Sequence, residues 1–371
     1  MTSQLFSPFS LRGLTLPNRI VVSPMCQYSA EDGSANDWHL MHLGSLALGS
    51  PGLLLLEATA VEATGRITPG CLGLYSDANE AALQRVLRAL RRWTPTHLGI
   101  QLAHAGRKAS SHVPWETGML ISAEAGGWRP SAPSAVPQRD DEAPPEGLDA
   151  AGLARIRDAF VASARRALRL GFDAAELHCA HGYLLHEFLS PISNRRTDAY
   201  GGTLENRMRF PLEVFDAVRA VWSADKPLGV RVSATDWVEG GLDPKQTLVL
   251  ARALKDRGCD WIDTSSGGVS PQQKIPLGPG YQVYLARLVR EEAGIATMAV
   301  GLITDPQQAE AIIAGGDADL VALGRGMLWD PRWVWHAAAQ LGGTVVAPAQ
   351  YWRSPPKEAG RVFGDTPIGM R

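Results

Sequence analysis

The chain has 371 residues, of which 45% are hydrophobic and 20% are charged, and its formal net charge is −2. This is the composition of an ordinary globular protein, and the near-neutral balance gives no support for a nucleic-acid partner, which would require a concentrated basic face. Residues 1–18 lack a basic stretch followed by an apolar one, and no apolar run is long enough to cross a bilayer. We therefore expect a cytoplasmic protein with no membrane partner.

The cysteines occur singly and far apart, at Cys26, Cys71, Cys179 and Cys259. No Cys-x-x-Cys pair is present, so the sequence predicts neither a zinc site nor an iron–sulfur cluster. So few cysteines in a chain of this length also argue against a disulfide scaffold. We expect reduced thiols, most of them packed in the core.

Short β-branched runs alternate with longer runs that carry apolar residues at helical spacing. A hairpin is predicted over 9–17, before the first of these units. The predicted strands are 19–25, 52–61, 97–104, 174–181, 228–234, 261–266, 296–302 and 319–324. The predicted helices are 37–48, 78–93, 149–170, 204–222, 244–257, 281–293, 305–314 and 331–340.

Eight β-then-α units predict a single (β/α)8 TIM-barrel domain over 1–371. A doubly wound sheet is the alternative, but the first strand is followed by Ser-Pro-Met-Cys-Gln-Tyr rather than a glycine-rich fingerprint. Two segments exceed the minimal plan. Residues 105–148, rich in proline, glycine and tryptophan, predict a partial lid over the barrel mouth, and 341–371 predict an extended C-terminal arm.

Two glycines stand where strands seven and eight should leave the barrel. Gly301 follows one strand, and Gly324 with Arg325 follows the other. Free backbone N–H groups at such positions can approach a phosphate closely, a recurring site in this fold. Each glycine alone could simply form a tight turn, but together with Arg325 they favour phosphate binding.

Arg231 and Gln101 lie within predicted strands and should face the barrel interior or its mouth. A buried arginine requires an anionic or strongly accepting partner. The plain alternative is an internal salt bridge to a strand carboxylate such as Glu57. The amide of Gln101 would suit a planar imide, although it could equally be a satisfied core glutamine.

The fourth predicted strand ends in Glu-Leu-His-Cys-Ala-His-Gly-Tyr, which brings His178, His181 and Tyr183 to the same mouth. A catalytic zinc would require a third ligand, and none is evident. Satisfied core histidines are a second alternative. The three groups make better sense as two imidazoles that hold a carbonyl oxygen and a phenol that supplies a proton. Cys26 could be inert packing or a soft group beside a cofactor.

The sequence resembles the Old Yellow Enzyme family of FMN-dependent ene reductases, and within it the bacterial branch that includes thermophilic members. The matching stretches span nearly the whole chain and are 16–20, 23–28, 101–107, 176–184 and 190–207. Cys26 in place of threonine and His181 in place of asparagine distinguish this branch from the yeast and plant enzymes.

The resemblance implies a role for each matching residue. Non-covalent FMN would be bound by Ser23, Pro24, Met25, Cys26, Ala58, Gln101, Arg231, Gly301, Gly324 and Arg325. Tyr28, His178 and His181 would bind the substrate, and Tyr183 would donate the proton. Arg353 matches an arginine that enters the neighbouring subunit's pocket from the C-terminal arm, while the adjacent Trp352 departs from the pattern. A homodimer or homotetramer with exchanged arms is therefore expected.

The implied activity is reduction of the activated C=C bond of an α,β-unsaturated carbonyl compound in two half-reactions. NADPH or NADH would deliver a hydride to the flavin and leave, and the substrate would then receive the hydride at Cβ and a proton at Cα. Two rivals remain at this point. One is a non-redox lyase or isomerase acting on a phosphorylated substrate, and the other is a non-catalytic flavin-binding protein.

Overall fold

The computed structural model describes residues 3–367, and its centre is a closed barrel of eight parallel strands, as predicted. The strands in chain order are β1 (Phe9–Leu11), β2 (Leu14–Leu16), β3 (Ile20–Val22), β4 (Leu53–Ala60), β5 (His97–Ala103), β6 (Ser131–Ala132), β7 (Glu146–Gly147), β8 (Ala174–Cys179), β9 (Leu228–Ser233), β10 (Trp261–Ser265), β11 (Ala296–Ala299) and β12 (Leu320–Leu323). The barrel runs β3-β4-β5-β8-β9-β10-β11-β12 and closes through pairing of β12 with β3.

Helices surround the barrel and connect its strands. They are α1 (Asp37–Ala47), α2 (Asp77–Trp93), α3 (Ala150–Arg169), α4 (Leu184–Leu189), α5 (Leu204–Val221), α6 (Pro244–Asp256), α7 (Val283–Ala293), α8 (Pro306–Ala314), α9 (Arg325–Trp329) and α10 (Trp333–Leu341). Asp243 and Asp305 each accept a backbone N–H in the first turn of a helix that opens with proline, an arrangement that favours helix initiation. Within residues 3–367, no helix is both long and apolar enough to cross a membrane.

The lower half of the barrel interior is filled by apolar side chains. Trp261 is the largest of them, and it packs with Leu53, Leu55 and Met298. Gly229 on the neighbouring strand makes this possible, because a Cβ there would lie 1.9 Å from the indole of Trp261. This packing leaves the upper half for polar groups.

The predicted N-terminal hairpin is formed by β1 and β2, which pair antiparallel. Leu11 and Leu16 of this hairpin join the apolar cluster inside the barrel. The hairpin therefore closes the end of the barrel opposite the mouth.

The two long segments fold against the barrel. Residues 105–148 contain the short parallel pair β6 and β7 together with several turns. The arm after α10 lies back on that helix, where Trp335 makes edge contacts with Tyr351 and Phe363 at ring-centroid distances of 5.4 and 4.9 Å.

Candidate active site

A cavity of about 370 Å³ opens at the C-terminal mouth of the barrel. Its wall brings together most of the residues that sequence reasoning selected: Ser23, Pro24, Met25, Cys26, Tyr28, Ala58, Gln101, His178, His181, Tyr183, Arg231, Gly301, Gly324 and Arg325. Trp352 and Arg353 do not line it, and the indole N–H of Trp352 donates to the Ala347 carbonyl oxygen at 3.0 Å. The described residues that line the cavity therefore come from strand ends and loops of the barrel.

One end of the cavity carries the two glycines. Gly301 has a φ of +124°, and a Cβ there would lie 2.7 Å from Gln282 Cγ, so its backbone and its packing both require glycine. Gly324 immediately precedes α9, whose first N–H groups have no acceptor within the helix. The atoms nearest to a Cβ on Gly324 would belong to Met25 and Ser23, at 3.5 Å or more. This end combines backbone donors, free space and the Arg325 side chain.

Four polar side chains on neighbouring strands of the barrel form a set that we call the carboxylate layer: Gln101, Glu176, Arg231 and Asp263. Strand register accounts for it, because Gln101 lies opposite Glu176 and Arg231 lies opposite Asp263. Glu176 accepts hydrogen bonds from Gln101 Nε2 at 2.8 Å and from the indole of Trp261 at 3.1 Å. The layer thus holds one cation between two buried carboxyl groups.

Arg231 is buried, but the hydrogen-bond donors of its guanidinium are only partly satisfied. It donates to Ser23 Oγ at 3.2 Å, while its Nε lies 3.3 Å from Asp263 Oδ2 without the alignment of a hydrogen bond. Burial and Asp263 raise the pKa of Glu176 to about 8, and burial raises the pKa of Asp263 as well, against the opposing effect of Arg231. Arg231 therefore remains able to interact with an anionic or accepting group in the cavity.

Glu57, named above as an alternative partner of Arg231, is not its partner. The pairing of β4 with β5 shifts register between Leu56 and Ala58, which is an irregularity at Glu57 itself. Its carboxylate accepts the Gln27 N–H at 3.0 Å and lies 3.5 Å from His39 Nε2. The acid beside Arg231 is Asp263 instead.

Above the carboxylate layer lie three aromatic side chains that we call the donor group: His178, His181 and Tyr183. The His178 ring contacts the other two edge-on, with centroid distances of 5.1 Å to His181 and 4.9 Å to Tyr183. His178 Nδ1 accepts the Ala180 N–H at 3.2 Å, so the hydrogen-bond pattern assigns its proton to Nε2. His181 has a φ of +60°, a conformation uncommon outside glycine.

The donor group is uncharged at neutral pH. Burial and the nearby Arg231 lower the pKa of both His178 and His181 well below the usual range. Burial also raises the pKa of Tyr183 and of the Cys26 thiol well above their usual values. The two imidazoles, the phenol and the thiol are thus all neutral, and a neutral Cys26 is a poor nucleophile.

Two residues that contact the donor group were not selected from the sequence. Ser265 Oγ lies 2.7 Å from His181 Nε2. Lys108 Nζ donates to the His181 carbonyl oxygen at 2.9 Å and lies 5.1 Å from the centroid of the Tyr183 ring. Ser265 stands at the end of a predicted strand, so its position could have indicated a place at the barrel mouth. Lys108 lies in the irregular excursion, where periodicity gives no guidance.

No arrangement of three or more His, Cys, Asp or Glu side chains suited to a metal ion occurs within residues 3–367. His178 and His181 therefore lack the additional protein ligand that a zinc site would need. Their neighbours are the phenol, the serine and the lysine described above.

Comparison with known proteins identifies the family. Residues 4–343 match the NADH:flavin oxidoreductase / NADH oxidase family. An NADPH dehydrogenase of Geobacillus sp. (strain WCH70) is 48% identical over 355 residues, covering 95% of this chain and 99% of that protein. The NADPH dehydrogenase of Bacillus subtilis (strain 168) is 43% identical, with the same coverage of both chains. This chain belongs to the NADH:flavin oxidoreductase / NADH oxidase family.

Solved structures agree with this assignment. Morphinone reductase in complex with tetrahydroNAD has a TM-score of 0.74 at 28% identity, covering 96% of this chain and 93% of its own. A 2-naphthoyl-CoA reductase has a TM-score of 0.81 at 22% identity, and this chain spans 52% of its length, so that likeness shows the fold alone.

The predicted family is therefore confirmed: this is an oxidoreductase of the Old Yellow Enzyme type, with FMN as cofactor and NAD(P)H as hydride donor. The non-redox alternative raised from the sequence is wrong.

The cavity suits FMN in this flavin oxidoreductase. Arg231 is a buried cation whose Nε has no hydrogen-bond acceptor among residues 3–367, as expected for a side chain that awaits an accepting group. Gln101 uses one N–H on Glu176 and keeps its carbonyl oxygen for another partner. The space and backbone donors around Gly324 fit a phosphate. These observations fit the cofactor roles predicted from the resemblance.

Proposed function

We propose that this enzyme is an ene reductase that reduces the activated C=C bond of α,β-unsaturated carbonyl compounds in a ping-pong cycle, with NADPH or NADH as the first substrate. The observation that carries the proposal is the donor group, three neutral hydrogen-bond donors at one cavity wall, in which the His178 ring contacts the other two. FMN, when bound, supplies the two-electron hydride chemistry that no side chain can provide. The residues of this chain then bind, orient and protonate the substrate.

His178 and His181 would hold the carbonyl oxygen of the substrate. His178 offers Nε2–H, since its Nδ1 already accepts the Ala180 N–H. If Ser265 donates to His181 Nε2, the proton of that ring lies on Nδ1 and is also available. Two neutral donors stabilise the negative charge that develops on the oxygen in the transition state, and their lowered pKa values keep them neutral throughout.

Tyr183 would donate the proton to Cα. Its raised pKa keeps the phenol protonated at neutral pH, so the acid is always loaded when the substrate arrives. The Lys108 ammonium over its ring favours the phenolate that remains after transfer. Tyr28 would contact the substrate from another side, and Cys26 would stand beside the cofactor as a neutral thiol.

Ser23, Pro24, Met25, Ala58, Gln101 and Arg231 would hold the ring system of the cofactor, and Gly301, Gly324 and Arg325 its phosphate. Arg231 would place a positive charge beside the part of the ring where electron density increases on reduction. The family assignment and the orphaned Arg231 Nε support this arrangement.

We also propose that the enzyme is a homo-oligomer in which the arm carries Arg353 or Trp352 into the cavity of a neighbouring copy. Neither residue lines the cavity of its own subunit. Trp93, which lines a groove together with Pro348, Gln350 and Tyr351 of the arm, is 53% exposed. A holoprotein that sediments as a monomer would contradict this part of the proposal.

The test is Tyr183→Phe, studied by rapid mixing of each half-reaction separately. Loss of the acid should slow oxidation of the reduced flavin by an enone by about 100- to 10,000-fold, the usual contribution of a general acid. Reduction of the flavin by NADPH needs no proton from Tyr183 and should change little. Tyr281→Phe is the matched control, because Tyr281 lines the same cavity and makes no ring contact with the imidazoles. Equal slowing of both half-reactions in Tyr183→Phe would contradict its acid role.

A further inference from the structure

A second cavity of about 350 Å³ meets the active-site cavity at Tyr28 and Tyr183, which line both. It lies between the excursion 105–148 and the loop that follows β10. We call it the basic chamber, and its charged or polar wall includes Arg107, Lys108, His112, Gln138, Arg139 and Glu142. We propose that the basic chamber binds a carboxylate or phosphate carried by the unsaturated substrate itself. The proposal rests on the ene reductase function and specifies its substrate class.

The charge of the chamber is the first argument. Three cations, Arg107, Lys108 and Arg139, face a single lining carboxylate, Glu142, which already accepts the Leu120 N–H at 3.3 Å. Arg139 is exposed and forms no ion pair within residues 3–367. A cavity with an excess of one charge concentrates ligands of the opposite charge.

The acids behind the chamber do not neutralise it. Glu187 lies behind Arg107 and accepts its backbone N–H at 2.8 Å. Burial raises the pKa of Glu187 to about 8, so this carboxyl group is largely protonated at neutral pH. His112 contacts Glu116, at 3.2 Å, on the outer side.

Lys108 connects the chamber to the reacting end of the site. Two of its three N–H groups donate to the carbonyl oxygens of His181 and Gly268, at 2.9 and 3.1 Å. One N–H therefore remains for a ligand. Burial lowers the pKa of Lys108 to about 8, Glu187 opposes that shift, and repulsion from Arg107 and Arg139 makes a smaller contribution to it. An anion in the chamber would relieve that repulsion.

The chamber is also fixed in shape. Arg107 donates to the carbonyl oxygens of Val136 and Pro137, at 3.3 and 3.1 Å, and to that of Val269. It thereby joins the excursion to the loop after β10, the two walls of the chamber. A site held by such cross-links is preorganised, so a ligand need not order it on binding.

Size favours a substrate tail over the nicotinamide donor. A volume of about 350 Å³ is near the lower limit for small-molecule sites and far below the space that a whole dinucleotide needs. A short chain that ends in one anionic group fits, with its unsaturated carbonyl in the adjoining cavity. The occupant inferred here is therefore an unsaturated carbonyl compound with an acidic terminus.

The test uses the FMN-loaded enzyme and cyclohexenones that carry a carboxylate on a chain of one to four methylenes, each paired with its methyl ester. Dissociation constants come from the change in the flavin spectrum on binding, and kcat/KM from turnover with NADPH. For at least one chain length, the wild type should bind the acid more tightly than the ester. Arg139→Gln should reduce that preference by about fivefold, the effect of a partly solvated ion pair, whereas Arg139→Lys should retain most of it.

Arg129→Gln is the control, because Arg129 is an exposed arginine of the same excursion that does not line the chamber. It should leave the preference for the acid unchanged. Equal affinity for acid and ester at every chain length would overturn the proposal. So would an Arg139→Gln effect confined to reduction by NADPH, which would assign the chamber to the hydride donor.

The two proposals fail in different ways. If no cyclohexenone is reduced, acid or ester, the ene reductase function itself is wrong. If the esters are reduced and the acids gain nothing, only the anion site is wrong.

Discussion

The carboxylate layer and the donor group lie next to each other in the barrel but differ in charge. The first contains a fixed cation, and the second contains only neutral donors. Glu176 and His178 are two residues apart on β8, so their side chains share the inner face and belong to successive levels. The lower level holds a permanent cation with two acids that tend to keep protons. The upper level holds two imidazoles that stay neutral because their pKa values are lowered, and a phenol that stays protonated because its pKa is raised. The comparison teaches that the barrel keeps fixed charge apart from the neutral donors that act on the substrate.

The same cause produces both states. Burial disfavours any charged form, so it raises the pKa of carboxyl groups and lowers that of imidazoles. Arg231 adds to the effect on His178 and His181 and opposes it on Glu176 and Asp263. Burial therefore sets the protonation of both levels and Arg231 modifies both, so changing this one cation should have the largest consequence.

Arg231→Met should disturb both the carboxylate layer and the donor group and should have the largest effect. Removal of the cation leaves Asp263 buried without its ion-pair partner, and breaking a buried ion pair in this way destabilises a protein by about 3–5 kcal/mol. Urea unfolding of the apoprotein measures this loss, and the flavin content of the purified protein should fall as well. Arg231→Lys keeps the charge and should lose less. Unchanged stability in Arg231→Met would show that the two acids do not depend on the cation.

Ser265→Ala should disturb the donor group alone. The change removes the hydroxyl 2.7 Å from His181 Nε2, so the ring is free to turn and its proton can move between nitrogens. Loss of one hydrogen bond of about 1.4 kcal/mol predicts an approximately tenfold slower oxidation of the reduced flavin by an enone, with reduction by NADPH preserved.

Nitrogen chemical shifts of the His181 ring give a readout that a merely structural role would not move, since they report the tautomer directly. Ser265→Thr keeps a hydroxyl and should restore both the rate and the shifts. If Ser265→Ala left the tautomer and the rate unaltered, Ser265 would have no positioning role.

Glu176→Gln should have the smallest effect near pH 5 and appear mainly in the pH dependence of stability. The folded protein raises the pKa of Glu176 from 4.5 to about 8, so it binds this proton more tightly than the unfolded chain does. Stability from this group is therefore complete below about pH 4.5 and is lost as the pH rises towards 8. Glutamine cannot titrate, so the decline should be shallower, by at most about 1.4 kcal/mol per pH unit.

Unfolding free energies measured from pH 5 to pH 8 test this prediction. Glu239→Gln is the control, because Glu239 is exposed on the surface and should leave the slope unchanged. An identical slope in wild type and Glu176→Gln would mean that Glu176 is ionised in the folded protein.

Much of the fold could be predicted because the barrel strands and their helices are long or strongly patterned. The short helices α4 and α9 were not predicted, since five or six residues carry too little periodicity to distinguish a helix from a turn. Lid and arm functions for 105–148 and 341–371 stay predictions, as does a cytoplasmic location. Residues 368–371 of that arm lie outside the described part of the chain.

The residues of the site could be predicted from the strand ends, because parallel strands bring residues that are distant in sequence to one mouth of the barrel. Arg231 and His178 could be selected this way without any contact being known. Asp263 was missed as the acid beside Arg231, and Glu57 was named instead, because only the register of β9 with β10 and the irregularity in β4 decide between them. Lys108 was missed because both its carbonyl partners lie far along the chain, in other loops.

The central claim is that the neutral donor group binds and protonates an enone while bound FMN supplies the hydride that reduces it. Its most direct test is anaerobic titration of the purified holoprotein with NADPH, followed by cyclohexenone, while the visible flavin spectrum is recorded. The account predicts that NADPH bleaches the flavin absorbance and that one equivalent of enone restores it, with the saturated ketone as product. A protein without bound FMN, or a reduced flavin that cyclohexenone fails to reoxidise, would contradict it.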